Sequence, residues 1–100
     1  MDRKEAVITD YLKSVTLPGG AKVLFCRESR EILLEDGDDV IRGKIYVNLD
    51  KGECHGTALG FETTRDLEGM AKDLELMQRF VQVGLGLQYT LKVCEARGWV

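Results

Sequence analysis

The stretch that decides the fold reads LEGMAKDLELMQRFVQVGLGLQYTLKVC, residues 67 to 94. Its first part has a helical period. At about 100° per residue, Leu67, Met70, Ala71, Leu74, Met77 and Val81 gather on one side, and Leu76, Phe80 and Val83 on the other. Upstream, Thr63 or Thr64 offers a capping hydroxyl, and Asp66 and Glu68 suit the positive end of a helix. The spacing therefore predicts a helix over residues 65 to 83. Gly84 and Gly86 interrupt the pattern, and Leu85, Leu87, Tyr89, Leu91 and Val93 then alternate with Gly86, Gln88, Thr90, Lys92 and Cys94. A period of two predicts a strand with one buried and one polar face.

Upstream of residue 67 the chain supplies the partners for these elements. Val7, Ile8, Tyr11, Leu12 and Val15 form one helical stripe within residues 3 to 15, and Leu17-Pro18-Gly19-Gly20 stops that helix. Short apolar runs at 21 to 28 and 31 to 35, separated by Ser29-Arg30, read as a hairpin. Asp36-Gly37-Asp38-Asp39 carries Asp-Gly turn chemistry, and Ile45, Val47 and Leu49 alternate with Lys44, Tyr46 and Asn48 in a third strand. Asp50-Lys51-Gly52-Glu53 turns the chain into a fourth strand, 54 to 61, whose glycines suggest a bulge or a close backbone approach. The expected fold is α+β: an N-terminal helix, a four-strand, mostly antiparallel sheet, a covering helix and a C-terminal strand completing the sheet. Residues 1 to 100 read as a single compact domain.

Composition agrees with a folded domain. Of 100 residues, 44% are hydrophobic and 31% charged, with a net charge of -3, a balance that argues against intrinsic disorder. Lys and Arg do not cluster, so the footprint of phosphate binding is missing and no nucleic acid is expected as a partner. No apolar run approaches the roughly 20 residues needed to cross a bilayer, so no membrane partner is expected either. Cys26, Cys54 and Cys94 are odd in number, and Met-Asp-Arg-Lys-Glu leads into no apolar segment of a signal peptide. Both features suggest a reducing, cytoplasmic location.

Candidate chemistry is sparse. His55, the single histidine, adjoins Cys54, but neighbours on a strand point to opposite faces, leaving only a cross-strand pairing of His55 with Cys26 or Cys94 for cysteine chemistry. Three scattered cysteines and one histidine supply the number of ligands for zinc without the short C-x-x-C pair that anchors a structural site. The 35 to 39 acidic turn lacks the ligand spacing of a calcium loop. Neither a Gly-rich dinucleotide fingerprint nor a P-loop is present. No catalytic residue, cofactor or metal is therefore assigned.

Binding surfaces remain. The helix is apolar on two sides, so if the Leu67 to Val81 stripe lies on the sheet, the Leu76, Phe80 and Val83 stripe must be covered by the first helix, a second copy or another protein. The acidic turn, with Asp36, Asp38 and Asp39, can face a basic protein, and Tyr46 shares a polar sheet face with Asn48, Gln88, Thr90 and Lys92. Trp99 is either tucked against the fold or held out for a partner. The layout is similar to that of many small phage and plasmid proteins that inhibit host enzymes by binding them, an analogy of layout alone. The leading expectation is a non-enzymatic protein-binding module, an inhibitor or adaptor of a larger cytosolic complex, acting alone or as a homodimer. The alternatives are a small-molecule binding or sensing domain, with a pocket between helix 65-83 and the sheet lined by Met70, Met77 and Phe61, and a small enzyme using His55 or a cysteine.

Overall fold

Helix α1 (Arg3–Lys13) opens on Asp2, whose carboxylate accepts a hydrogen bond from the Lys4 backbone N–H at 2.7 Å and satisfies one of the free donors of the first turn. A computed structural model describes the chain over residues 2–60 and 66–100. After a single 3-10 turn at Pro18–Gly20, four strands follow: β1 (Lys22–Cys26), β2 (Glu31–Glu35), β3 (Ile41–Asn48) and β4 (Glu53–Leu59). They form an antiparallel meander in the order β1-β2-β3-β4, and a bulge leaves Thr57 between the Lys44–Ala58 and Ile45–Gly56 pairs. The bulge expected near the glycines of the fourth strand is therefore present.

Alternation sets the two faces of the sheet. Ile32 and Leu34 of β2 and Ile45 and Val47 of β3 point to one side and are buried. That side is covered by α1 over β1 and by α2 (Leu67–Ala96) over β3 and β4, with the two helices in contact. Ile8 and Leu12 of α1 and Leu76, Phe80, Val83, Leu87 and Leu91 of α2 complete the core. Lys4 ties the end of α1 to the sheet side, its Nζ donating to the Leu49 carbonyl at 2.7 Å.

The C-terminal strand expected from Leu85 to Val93 is not formed. Residues 67 to 96 make one 30-residue helix, about 45 Å long. Two glycines that read as a helix stop are contact points instead. A Cβ on Gly84 would lie 2.8 Å from Ile45 Cδ1, so the missing side chain lets α2 settle onto β3. A Cβ on Gly86 would collide with the Tyr11 hydroxyl and come within 3.1 Å of its Cζ, so α1 settles onto α2 in the same way. The period of two arises because residues two apart on a helix differ by about 200°, so two apolar stripes on opposite sides imitate strand alternation.

Both ends of α2 carry stop signals. Asp66 is the N-cap, its Oδ1 accepting from the Gly69 N–H at 2.7 Å, whereas Thr63 and Thr64 lie outside the described residues. At the other end Gly98, with φ of 72°, lets the chain reverse, so that Gly98 N–H reaches the Glu95 carbonyl and Trp99 N–H the Cys94 carbonyl, a Schellman ending. Asp66→Ala is expected to cost about 1 kcal/mol, read as a lower urea midpoint with unchanged slope. An unchanged midpoint would mean that the first turn is held by other contacts.

Candidate interaction surface

Helix α2 has two apolar sides, and the sheet and α1 cover only one. Leu76, Phe80 and Val83, expected to be covered by the first helix, a second copy or another protein and assigned to partner binding, are buried in the core with Ile8 and Leu12 of α1 and are not a partner surface. The stripe expected on the sheet is left outside, with Leu67 82% and Leu74 62% exposed and Met70 and Val81 close to half exposed, and it runs on into Leu85 at 61% and Tyr89 at 72%, two residues expected on the C-terminal strand. The physical reason is continuity. Once the helix runs on to residue 96, the stripe 76, 80, 83, 87, 91 and 94 is unbroken and passes over the Gly84 notch, where α2 can approach β3 closely. The other stripe has no such notch.

The amino-terminal part of α2 also stands away from the body. A cleft of about 610 Å³ separates Lys72, Asp73, Glu75 and Leu76 from the 3-10 turn and the β2–β3 turn. Farther along the helix, a smaller cavity of about 140 Å³ opens between α2 and the β3–β4 pair, with Ile45, Cys54, Phe80, Val81, Leu85 and Gln88 in its wall. Val81 and Leu85 belong both to this wall and to the exposed stripe, so the hollow and the stripe are one continuous apolar feature. β4 is an edge strand, and its Cys54 N–H is met by the Gln88 side-chain carbonyl at 2.9 Å.

The remaining expected site residues do not join this surface. Asp36 is occupied within its own turn: Oδ1 accepts from the Asp38 and Val40 N–H groups, and Oδ2 accepts from Arg42 Nε at 2.7 Å. The Arg42 hydrogen bond, followed by that from Val40, holds the Asp36 carboxyl below the usual carboxylate range. Asp39 pairs with Lys22 at 3.3 Å, and Asp38 is exposed at the same turn. Tyr46 lies on the outer sheet face, half-buried, opposite Glu31 on one side and His55 on the other. Its expected companions Gln88, Thr90 and Lys92 are on α2, on the far side of the sheet. Trp99 is 56% exposed, with the Arg97 guanidinium 5.1 Å above its ring.

Cysteine chemistry finds no assembled site. Cys54 faces the core side opposite Val47, and His55 faces outward, its Nε2 3.5 Å from Glu53 Oε2. Cys26 shares the outer-face row with His55, but Glu31 and Tyr46 stand between them, three strand spacings or about 14 Å away. Among the described residues no three of His, Cys, Asp and Glu are placed to hold a metal ion. Met70, expected in a ligand pocket, is exposed, and Phe61 lies outside the described residues.

The cysteines themselves differ. Burial pushes the Cys54 thiol up to about 11, whereas hydrogen bonds from Ser29 lower that of Cys26. Because the thiolate is the reactive form, iodoacetamide at pH 8 is expected to modify Cys26 several-fold faster than Cys54, followed by peptide mass spectrometry. Equal rates would show that Cys54 is not shielded by α2. The raised Cys54 value also sets a sign: the folded state retains a proton that the unfolded thiol releases near 9, so stability declines as pH rises from about 9 through 11.

No helix among the described residues is long and apolar enough to cross a membrane. No family model matches the chain, and no match was found among curated proteins or solved structures.

Proposed function

We propose that the chain is a protein-binding module whose docking element is the exposed face of α2, and that it acts by occupying a partner's surface rather than by chemistry at a catalytic centre. The observation that carries this reading is the line of large apolar side chains from Leu67 to Tyr89 on the uncovered side of a 30-residue helix. Isolated exposed apolar residues are ordinary, but six along one helix face, interrupted once by Gln78, are the pattern of an interface. The neighbouring 140 Å³ hollow is smaller than the roughly 300 Å³ at which small-molecule sites begin and suits one inserted side chain. Occupation of this kind is the means by which a chain of this size would inhibit or bridge a larger assembly.

The test is a native mass spectrum of the protein isolated from its own cells, wild type beside the double variant Leu74→Asp/Leu85→Asp. Both positions are largely exposed, so the variant is expected to keep its fold while losing any associated chain, whether a second copy or a different polypeptide. Association that survives both aspartates would place docking elsewhere and overturn the reading. Leu24→Asp on β1, exposed on the opposite sheet face, serves as the control expected to change nothing.

A further inference from the structure

We infer that the occupant of the α2 face is a second copy of the chain, docked antiparallel about a two-fold axis that passes between residues 79 and 80. The inference rests on reading this face as a protein-docking surface and names what covers it.

Positions 67, 70, 74, 78, 81, 85, 89 and 92 follow intervals of three, four and four, an 11-residue repeat. Such a repeat has about 3.67 residues per turn, close to the natural helix, so the line stays on one side for its whole length of about 38 Å. The eight positions are occupied by Leu67, Met70, Leu74, Gln78, Val81, Leu85, Tyr89 and Lys92, and six of them are the exposed apolar residues of α2. Read backwards, the intervals are unchanged. A two-fold axis between residues 79 and 80 therefore sets Leu74 of one copy against Leu85 of the other, Met70 against Tyr89, Gln78 against Val81, and Leu67 against the aliphatic stem of Lys92. The spacing is therefore compatible with an isologous contact, in which the same patch serves both copies.

Charge selects the antiparallel arrangement. Toward its amino-terminal end α2 and its cap carry Asp66 and Glu68, while the carboxy-terminal end carries Lys92 and Arg97 against Glu95; Lys72, Asp73 and Glu75 line the cleft toward the β2–β3 turn instead. Parallel docking would bring the two acidic ends together. Antiparallel docking brings each beside the more basic end of the other copy and sets the two helix dipoles in opposition. Six side chains contributing about 100 Å² each would bury on the order of 1,200 Å² over both copies, the lower bound of a specific interface. A dimer in exchange with monomer is the expected state.

Single substitutions distinguish the orientations without touching the core. Leu74→Glu and Leu85→Lys each introduce a charge at a position more than half exposed, and neither has an oppositely charged residue three or four places away on α2. Sedimentation equilibrium of the purified wild type at about 100 µM is expected to show dimer, with each single variant weakened at least tenfold. Mixing the two variants is expected to restore association as a heterodimer, seen by native mass spectrometry, because glutamate at 74 then meets lysine at 85 of the other copy while the second contact remains Leu–Leu. Parallel docking would set each introduced charge against leucine, relieving like-charge contact but forming no ion pair, so association would stay well below that of the wild type. A wild type that stays monomeric at that concentration, or a mixture that yields no heterodimer, overturns the inference. The first result would leave the docking reading standing if Leu74→Asp/Leu85→Asp still strips a different chain from the natively isolated protein, whereas association unaffected by those aspartates would remove both.

Discussion

Phe80→Ala is expected to lower the thermal midpoint by about 12 to 40 °C. Phe80 is 1% exposed and is the largest fully buried side chain among the described residues. It belongs to the central cluster formed by α2, α1 and the covered sheet face, so its removal takes away apolar contact and leaves a void that the sheet cannot close. Truncating a buried phenylalanine costs about 3 to 5 kcal/mol, a large part of the roughly 5 to 15 kcal/mol that holds a domain of this size together. At about 4 to 8 °C per kcal/mol, the shift is far beyond the error of a circular-dichroism melt. Leu74→Ala, measured at low protein concentration so that association does not contribute, is expected to change stability by less than about 0.5 kcal/mol. The opposite ordering would mean that α2 presents its other side to the sheet, and the docking face would have to be reassigned.

Gly84→Ala is the second large effect, and its sign is the informative part. In an exposed helix interior, alanine in place of glycine stabilises by about 1 kcal/mol. Here the new methyl group would stand 2.8 Å from Ile45 Cδ1, inside van der Waals contact, and Ile45 is itself buried. Either α2 lifts from β3 or Ile45 leaves its rotamer, and overpacking of this kind costs about 1 to 3 kcal/mol. Net destabilisation is expected despite the better helix former. Ile45→Val removes the atom that would collide, so the double variant Gly84→Ala/Ile45→Val should be more stable than the two separate losses predict, by about 1 kcal/mol in a denaturant double-mutant cycle. Strict additivity would show that the helix does not bear on Ile45, and a stabilised single variant would show that Gly84 is not a contact point.

Much of the fold is legible in local chemistry. The stripe from Val7 to Leu12 lies in α1, β2 spans Glu31 to Glu35 where the apolar run lies, the Asp36-Gly37 turn is made as its side chain dictates, and the alternation of Ile45, Val47 and Leu49 is the alternation of buried positions. Asp66, Gly98 and the 3-4-4 spacing were also present in the sequence as signals for where α2 begins, ends and stays exposed. They are outweighed by Gly84 and Gly86, whose usual meaning is a helix stop, and by two stripes that together imitate a strand. The shortened helix then transfers the error to the candidate site, because a stripe cut at Val83 looks like the weaker of the two. Run on through Leu87, Leu91 and Cys94, it is the stronger.

The sequence by itself determined the α+β class, the succession of a helix, four strands and a second helix along the chain, and the two-sided apolar character of residues 67 to 83, since each follows from the period or turn chemistry of neighbouring residues. Only the tertiary structure decided that residues 84 to 96 are helical and which side of α2 is left uncovered. Both depend on atoms distant along the chain: Ile45 fills the space at Gly84 and Tyr11 the space at Gly86. A missing side chain has no local signature that separates a break in a helix from a seat for another element, because the difference lies in what arrives to occupy the space.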